Sequence, residues 1–115
     1  MRIRGAGRRI ILTGTMTEFY GTMFTMKIWF REWKENHLIR DIVIEDKTED
    51  TRTHKVFHCL DAACEKLDLS RPIWFERTQE DFRKHARARF TKDAFIDSVD
   101  FDFLEIQVIE EDQVF

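Results

Sequence analysis

The chain has 115 residues, 43% of them hydrophobic and 36% charged, with a formal net charge of −3 at pH 7. That length allows one domain. No apolar run approaches the ~18 residues of a membrane-spanning helix, and the acidic balance disfavours tight non-specific binding to nucleic acid.

All four glycines (Gly5, Gly7, Gly14, Gly21) and all four methionines (Met1, Met16, Met23, Met26) fall in the first 26 residues. Charge divides at the same place. Residues 1–26 hold four arginines and one acid, Glu18, whereas the remainder holds 15 basic and 21 acidic side chains. The break predicts an N-terminal extension over residues 1–25 and a single compact domain over 26–115. Within the extension, 9–15 has the β-formers Ile10, Ile11 and Leu12, too short a stretch for the apolar core of a signal peptide. Two readings compete, an ordered arm and a disordered leader. The leader is the expectation, with the protein proper starting at Met26-Lys27-Ile28-Trp29.

Residues 27–34 read as a strand in which Ile28 and Phe30 alternate with Trp29, Arg31 and Trp33. The polar triplet Glu35-Asn36-His37 and a second β-rich run over 38–45 predict a hairpin. Asp46 to Asp50 is a charged loop. Residues 51–67 form the clearest helix, with Val56, Leu60, Ala63 and Leu67 on one stripe and Asp50, Thr51 or Thr53 as N-cap. Cys59 and Cys64, the two cysteines of the chain, lie five residues apart on that helix. Their side chains point too far apart for an intrahelical disulfide, and so low a cysteine content suits a reducing, cytoplasmic setting.

Arg71-Pro72 leads into Ile73-Trp74-Phe75, read as a short buried segment or edge strand. Thr78 to Asp81 resembles a capping box that opens a helix to about residue 89, with Phe82, Ala86 and Phe90 as its stripe. Thr91 caps a short turn through Ile96. Residues 101–109 form a last strand with Leu104, Ile106 and Val108 on one face and Phe101, Phe103 and Glu105 on the other. Glu110 to Asp112 read as a solvated tail. The order predicts an α+β fold: a small, mostly antiparallel sheet, made of the hairpin and the C-terminal strand, with two or three helices on one face.

Three groups of residues invite a functional reading. Trp29, Arg31 and Trp33 share a strand face, a combination found in protein interfaces and in base-stacking platforms; a strand covered on both sides would use them as core. Arg83, Lys84, Arg87, Arg89 and Lys92 are five cations within ten residues with no acid among them, suited to phosphates or an acidic partner. Neutralisation by the acids of 94–112 is the simpler use. His54, His58 and Asp61 share a helix face, but His54-Lys55-Val56-Phe57-His58 lacks the glutamate of a catalytic zinc helix. The closely spaced Asp97, Asp100, Asp102 and Glu105 read as solvated acids. No catalytic, cofactor-binding or metal-binding set is expected.

The segments Met26-Lys27-Ile28-Trp29, Pro72-Ile73-Trp74-Phe75, Arg89-Phe90-Thr91 and Val99 to Ile106 resemble small Firmicutes-type bacterial proteins of about 90 residues that begin Met-Lys-x-Trp. The resemblance spans most of 26–115, implies a bacterial cytosolic setting and a start near Met26, and supplies no functional residues. The expectation is a non-enzymatic module that binds a protein partner or a second copy of itself through Trp29, Arg31 and Trp33. A nucleic-acid accessory factor using the 83–92 patch is the alternative.

Overall fold

The computed structural model describes residues 23–113, so the readings of residues 1–22, the strand over 9–15 included, lie outside the described residues. The elements are β1 (Met23–Lys34), β2 (His37–Asp46), α1 (Arg52–Leu67), α2 (Glu76–His85), β3 (Arg87–Thr91) and β4 (Phe103–Gln113), with a 3₁₀ turn over Lys92–Ala94. Four antiparallel strands form one sheet in the order β2-β1-β4-β3. The fold is therefore α+β, with both helices on one side of an antiparallel sheet. β1 begins three residues before Met26 and occupies the centre of the sheet.

Glu35 and Asn36 close the β1–β2 hairpin, both in the left-handed region at φ 52° and 68°. Two such residues in succession match the twist of an antiparallel pair. The Glu35 N–H donates to Asp102 Oδ2 at 2.8 Å, which ties the turn to the approach to β4.

Alternation then sorts the sheet into two faces. Ile28 and Phe30 of β1, Ile44 of β2, Ala88 and Phe90 of β3, and Leu104 and Ile106 of β4 are buried in one core cluster. Val56, Leu60, Ala63 and Leu67 of α1 and Phe82 of α2 meet them from above. Each large side chain so buried contributes about 1.5–3 kcal/mol. Thr51 caps α1, its hydroxyl accepting from the His54 N–H.

One charge lies on the core side of β1. Glu32 is 1% exposed and accepts two hydrogen bonds from Arg40, Nε at 3.0 Å and Nη2 at 2.9 Å. Arg40 Nη2 also donates to the Leu67 carbonyl at the C-terminal end of α1, at 3.0 Å. A buried carboxylate is tolerable only when paired and hydrogen-bonded in this way.

The structure corrects five expectations. Thr78 does not cap α2; Phe75 takes that position, its carbonyl accepting from the N–H groups of Thr78 and Gln79 at 3.0 Å, and Thr78 is buried in the first turn. The helix stops at His85 rather than residue 89. Ala86 turns left-handed at φ 56°, with its N–H on the Phe82 carbonyl, and 87–91 becomes β3, with Ala88 opposite Ile106 and Phe90 opposite Leu104. Residues 73–75, read as a buried segment or an edge strand, form no strand and are buried only in part: Ile73 is exposed, its N–H on the Ala94 carbonyl at 2.8 Å, while Trp74 and Phe75 pack against the core. Glu110 and Glu111 belong to β4 rather than to a tail, and Phe101 lies before that strand, in the core against Phe95.

Candidate functional site

The face of the sheet away from α1 and α2 carries a patterned set of side chains. Because the strands are in register, these fall into rows across the sheet. One row runs Thr91, Phe103, Trp33; the next Arg89, Glu105, Arg31, Asp41; the next Arg87, Gln107, Trp29, Val43. Lys27 and Glu45 face each other farther along. The middle row thus alternates in charge from β3 to β2 and is flanked on both sides by aromatic rings.

Hydrogen bonds knit the rows together. Arg31 Nη2 donates to Gln107 Oε1 at 2.6 Å and lies 3.4 Å from Glu105 Oε1. Its guanidinium stacks 4.0 Å from the centre of the Trp29 ring. Trp33 Nε1 donates to Glu105 Oε1 at 3.0 Å, and Trp29 Nε1 to Asp41 Oδ2 at 2.9 Å. Arg89 sits 4.5 Å above the Phe103 ring. Both tryptophans and Arg31 are half-buried, while Arg87 and Arg89 are exposed. An arginine packed on an indole, with its planar fork also bonded at the edge, is held in one orientation.

The structure therefore brings Trp29, Arg31 and Trp33 together with two residues of the separate basic patch, Arg87 and Arg89. The rest of that patch goes elsewhere: Arg83 and Lys84 to the last turn of α2, Lys92 to the 3₁₀ turn. None of the five forms an ion pair among the described residues, although the register sets Arg89 opposite Glu105. The acids of β4 pair with other cations: Glu105 with Arg31, Glu110 with Lys27 and Glu111 with Arg52.

Asp41, Phe103, Glu105 and Gln107 complete the face, and the sequence reading did not connect them to it. The signal lay in the alternation of 103, 105 and 107, but only the β1–β4 pairing reveals that they sit beside Trp33, Arg31 and Trp29.

The histidines go separate ways. His54 Nδ1 lies 3.0 Å from Asp50 and His58 Nδ1 lies 3.3 Å from Asp46, and no group of three or more potential metal ligands occurs among the described residues. Cys59 and Cys64 are both free and buried; burial pushes the Cys59 thiol up to about 12 and the Cys64 thiol up to about 11, so neither is a thiolate nucleophile at neutral pH. Among the described residues no helix is long and apolar enough to cross a membrane.

No family model, curated protein or solved structure matches the chain, so the site stands on its own geometry.

Proposed function

We propose that the protein is a non-enzymatic interaction module that docks a protein surface, a partner or a second copy of itself, against the sheet face bearing Trp29, Arg31 and Trp33. The observation that carries this reading is the alternating row Arg89-Glu105-Arg31-Asp41 between aromatic rows. Tryptophan and arginine are the residues most enriched among interface anchors, and here each indole and the Arg31 guanidinium are already oriented, which lowers the entropy lost on docking. The face carries Lys27, Arg31, Arg87 and Arg89 against Asp41 and Glu110, with Glu45 and Glu105 buried within it. Such a balanced charge pattern suits a protein of complementary pattern and suits a phosphate backbone poorly.

The nucleic-acid alternative keeps one supporting observation, the exposed Arg87 and Arg89, the latter over the Phe103 ring. It requires oligonucleotide binding that weakens steeply with salt. The test compares the wild type with the Trp29→Ala/Trp33→Ala variant in affinity capture from the native cytosol and in sedimentation at high concentration. A specific partner, or a dimer, present for the wild type and lost in a folded double variant is the expected result. A strictly monomeric wild type whose captured proteins are unchanged by the substitutions overturns the reading.

A further inference from the structure

Away from the sheet face, a groove of about 250 Å³ opens between α1 and α2. Its apolar wall is Val56 and Phe57 from α1, Trp74 from the connecting segment and Phe82 from α2, with Thr53 and Gln79 adding polar surface. The rings brace one another, Trp74 meeting Phe57 edge-on at 6.3 Å and Phe82 at 5.8 Å. Among the described residues, Arg52 and Arg83 supply the only charges in the lining, and no acid lines it.

That asymmetry is unexpected in a chain with more acids than bases. Arg52 leans over the Phe82 ring at 5.3 Å, and its Nε is held by Glu111 at 2.7 Å. Arg83 is exposed and forms no ion pair among the described residues. The Trp74 indole N–H is buried with no acceptor among the described residues. The groove thus offers aromatic surface and a cationic rim, of which Arg83 is the guanidinium that no carboxylate holds among the described residues.

We propose that this groove is a binding site for a small aromatic carboxylate, its ring held by Phe57, Trp74 and Phe82 and its carboxylate by the rim arginines. Size favours a small molecule: the volume lies just below the range of about 300–1,000 Å³ that encloses drug-sized ligands. Charge favours an anion, because a guanidinium recognises a carboxylate through paired, charge-assisted hydrogen bonds. The site is independent of the sheet face and of the docking role proposed for it.

The test titrates the ¹⁵N-labelled protein with 1-naphthoate and follows the tryptophan indole N–H resonances, that of Trp74 being assigned with Trp74→Phe. Saturable movement of the Trp74 signal is expected, with those of Trp29 and Trp33 still. Arg83→Ala, a surface change whose intact fold the remaining spectrum verifies, is expected to weaken binding about tenfold, the effect of losing one charge-assisted contact. The neutral 1-naphthalenemethanol is expected to bind weaker by at least a similar factor, and the Trp29→Ala/Trp33→Ala variant as tightly as the wild type. The proposal is overturned by an unmoved Trp74 signal at millimolar probe, by equal binding of the neutral analogue, by an Arg83→Ala protein of unchanged affinity, or by loss of binding in the sheet-face double variant.

Discussion

Asp46 ends β2 and holds the loop that follows. Its Oδ1 accepts from the Thr48 N–H at 2.8 Å, from the Thr48 hydroxyl at 2.6 Å and from Lys55 Nζ at 3.2 Å. Lys55 is wholly buried, and its ammonium also donates to the Thr48 carbonyl. Burial alone would raise the Asp46 carboxyl; the Thr48 hydrogen bonds and the Lys55 charge outweigh it and hold the carboxyl below its ordinary value. A group lowered in the folded state stabilises fully above its unfolded value, about 3.9, and loses that contribution as pH falls through the lower folded value. Acid unfolding of the wild type should therefore steepen below about pH 4. Asp46→Asn should be less stable at pH 7 by about 1–3 kcal/mol, because it leaves the Lys55 ammonium buried without its counter-ion. It should also lose stability less steeply on acidification, as denaturant melts at pH 7 and pH 3 would measure. A parallel pH dependence of the two proteins would show that Asp46 does not carry this effect.

At the scale of elements, α1 and the β1–β2 hairpin are legible in the sequence because one periodicity dominates each. Val56, Leu60, Ala63 and Leu67 fit a helix and nothing else, and Ile28 and Phe30 alternate cleanly with Trp29 and Arg31. The region from Phe82 to Phe90 satisfies two periods at once. Phe82, Ala86 and Phe90 recur at helical spacing, while Ala88 and Phe90 recur at strand spacing. Pairing with Leu104 and Ile106, remote in sequence, decides for the strand. The hinge is Ala86, a non-glycine residue at φ 56°, and nothing in an alanine announces a left-handed turn. The candidate face was legible on β1 alone, since its companions on β3 and β4 are brought in by register. Glycine at position 86 removes the Cβ clash of the left-handed conformation, worth about 1–2 kcal/mol, against a higher unfolded-state entropy. Ala86→Gly should thus stabilise the protein, by up to about 1 kcal/mol, read as a higher denaturation midpoint with an unchanged slope. A lower midpoint would mean that the turn is not left-handed in solution.

At the scale of the whole molecule, the single core makes the two thiols reporters of global opening. Cys59 is 1% exposed and Cys64 4% exposed, both on the face of α1 that meets the sheet. Labelling by a thiol reagent at pH 8 should be slow under native conditions and should accelerate with denaturant in step with loss of helical circular dichroism. Fast labelling of either thiol in the native protein would show that α1 detaches locally. The order β2-β1-β4-β3 also bears on how the chain assembles. β1 and β2 are joined by a two-residue turn and can zip at once, whereas the other flank of β1 waits for β4; Arg31 and Gln107, bonded side by side, are 76 residues apart in sequence. Closing so large a loop should lag behind the hairpin. During that wait the nascent hairpin displays the unpaired edge of β1, a template onto which a strand from a neighbouring polypeptide can add. Charge, a usual remedy, is present in Lys27, Arg31 and the inward-facing Glu32, so two residues of the mature face also guard the half-made sheet against its own kind.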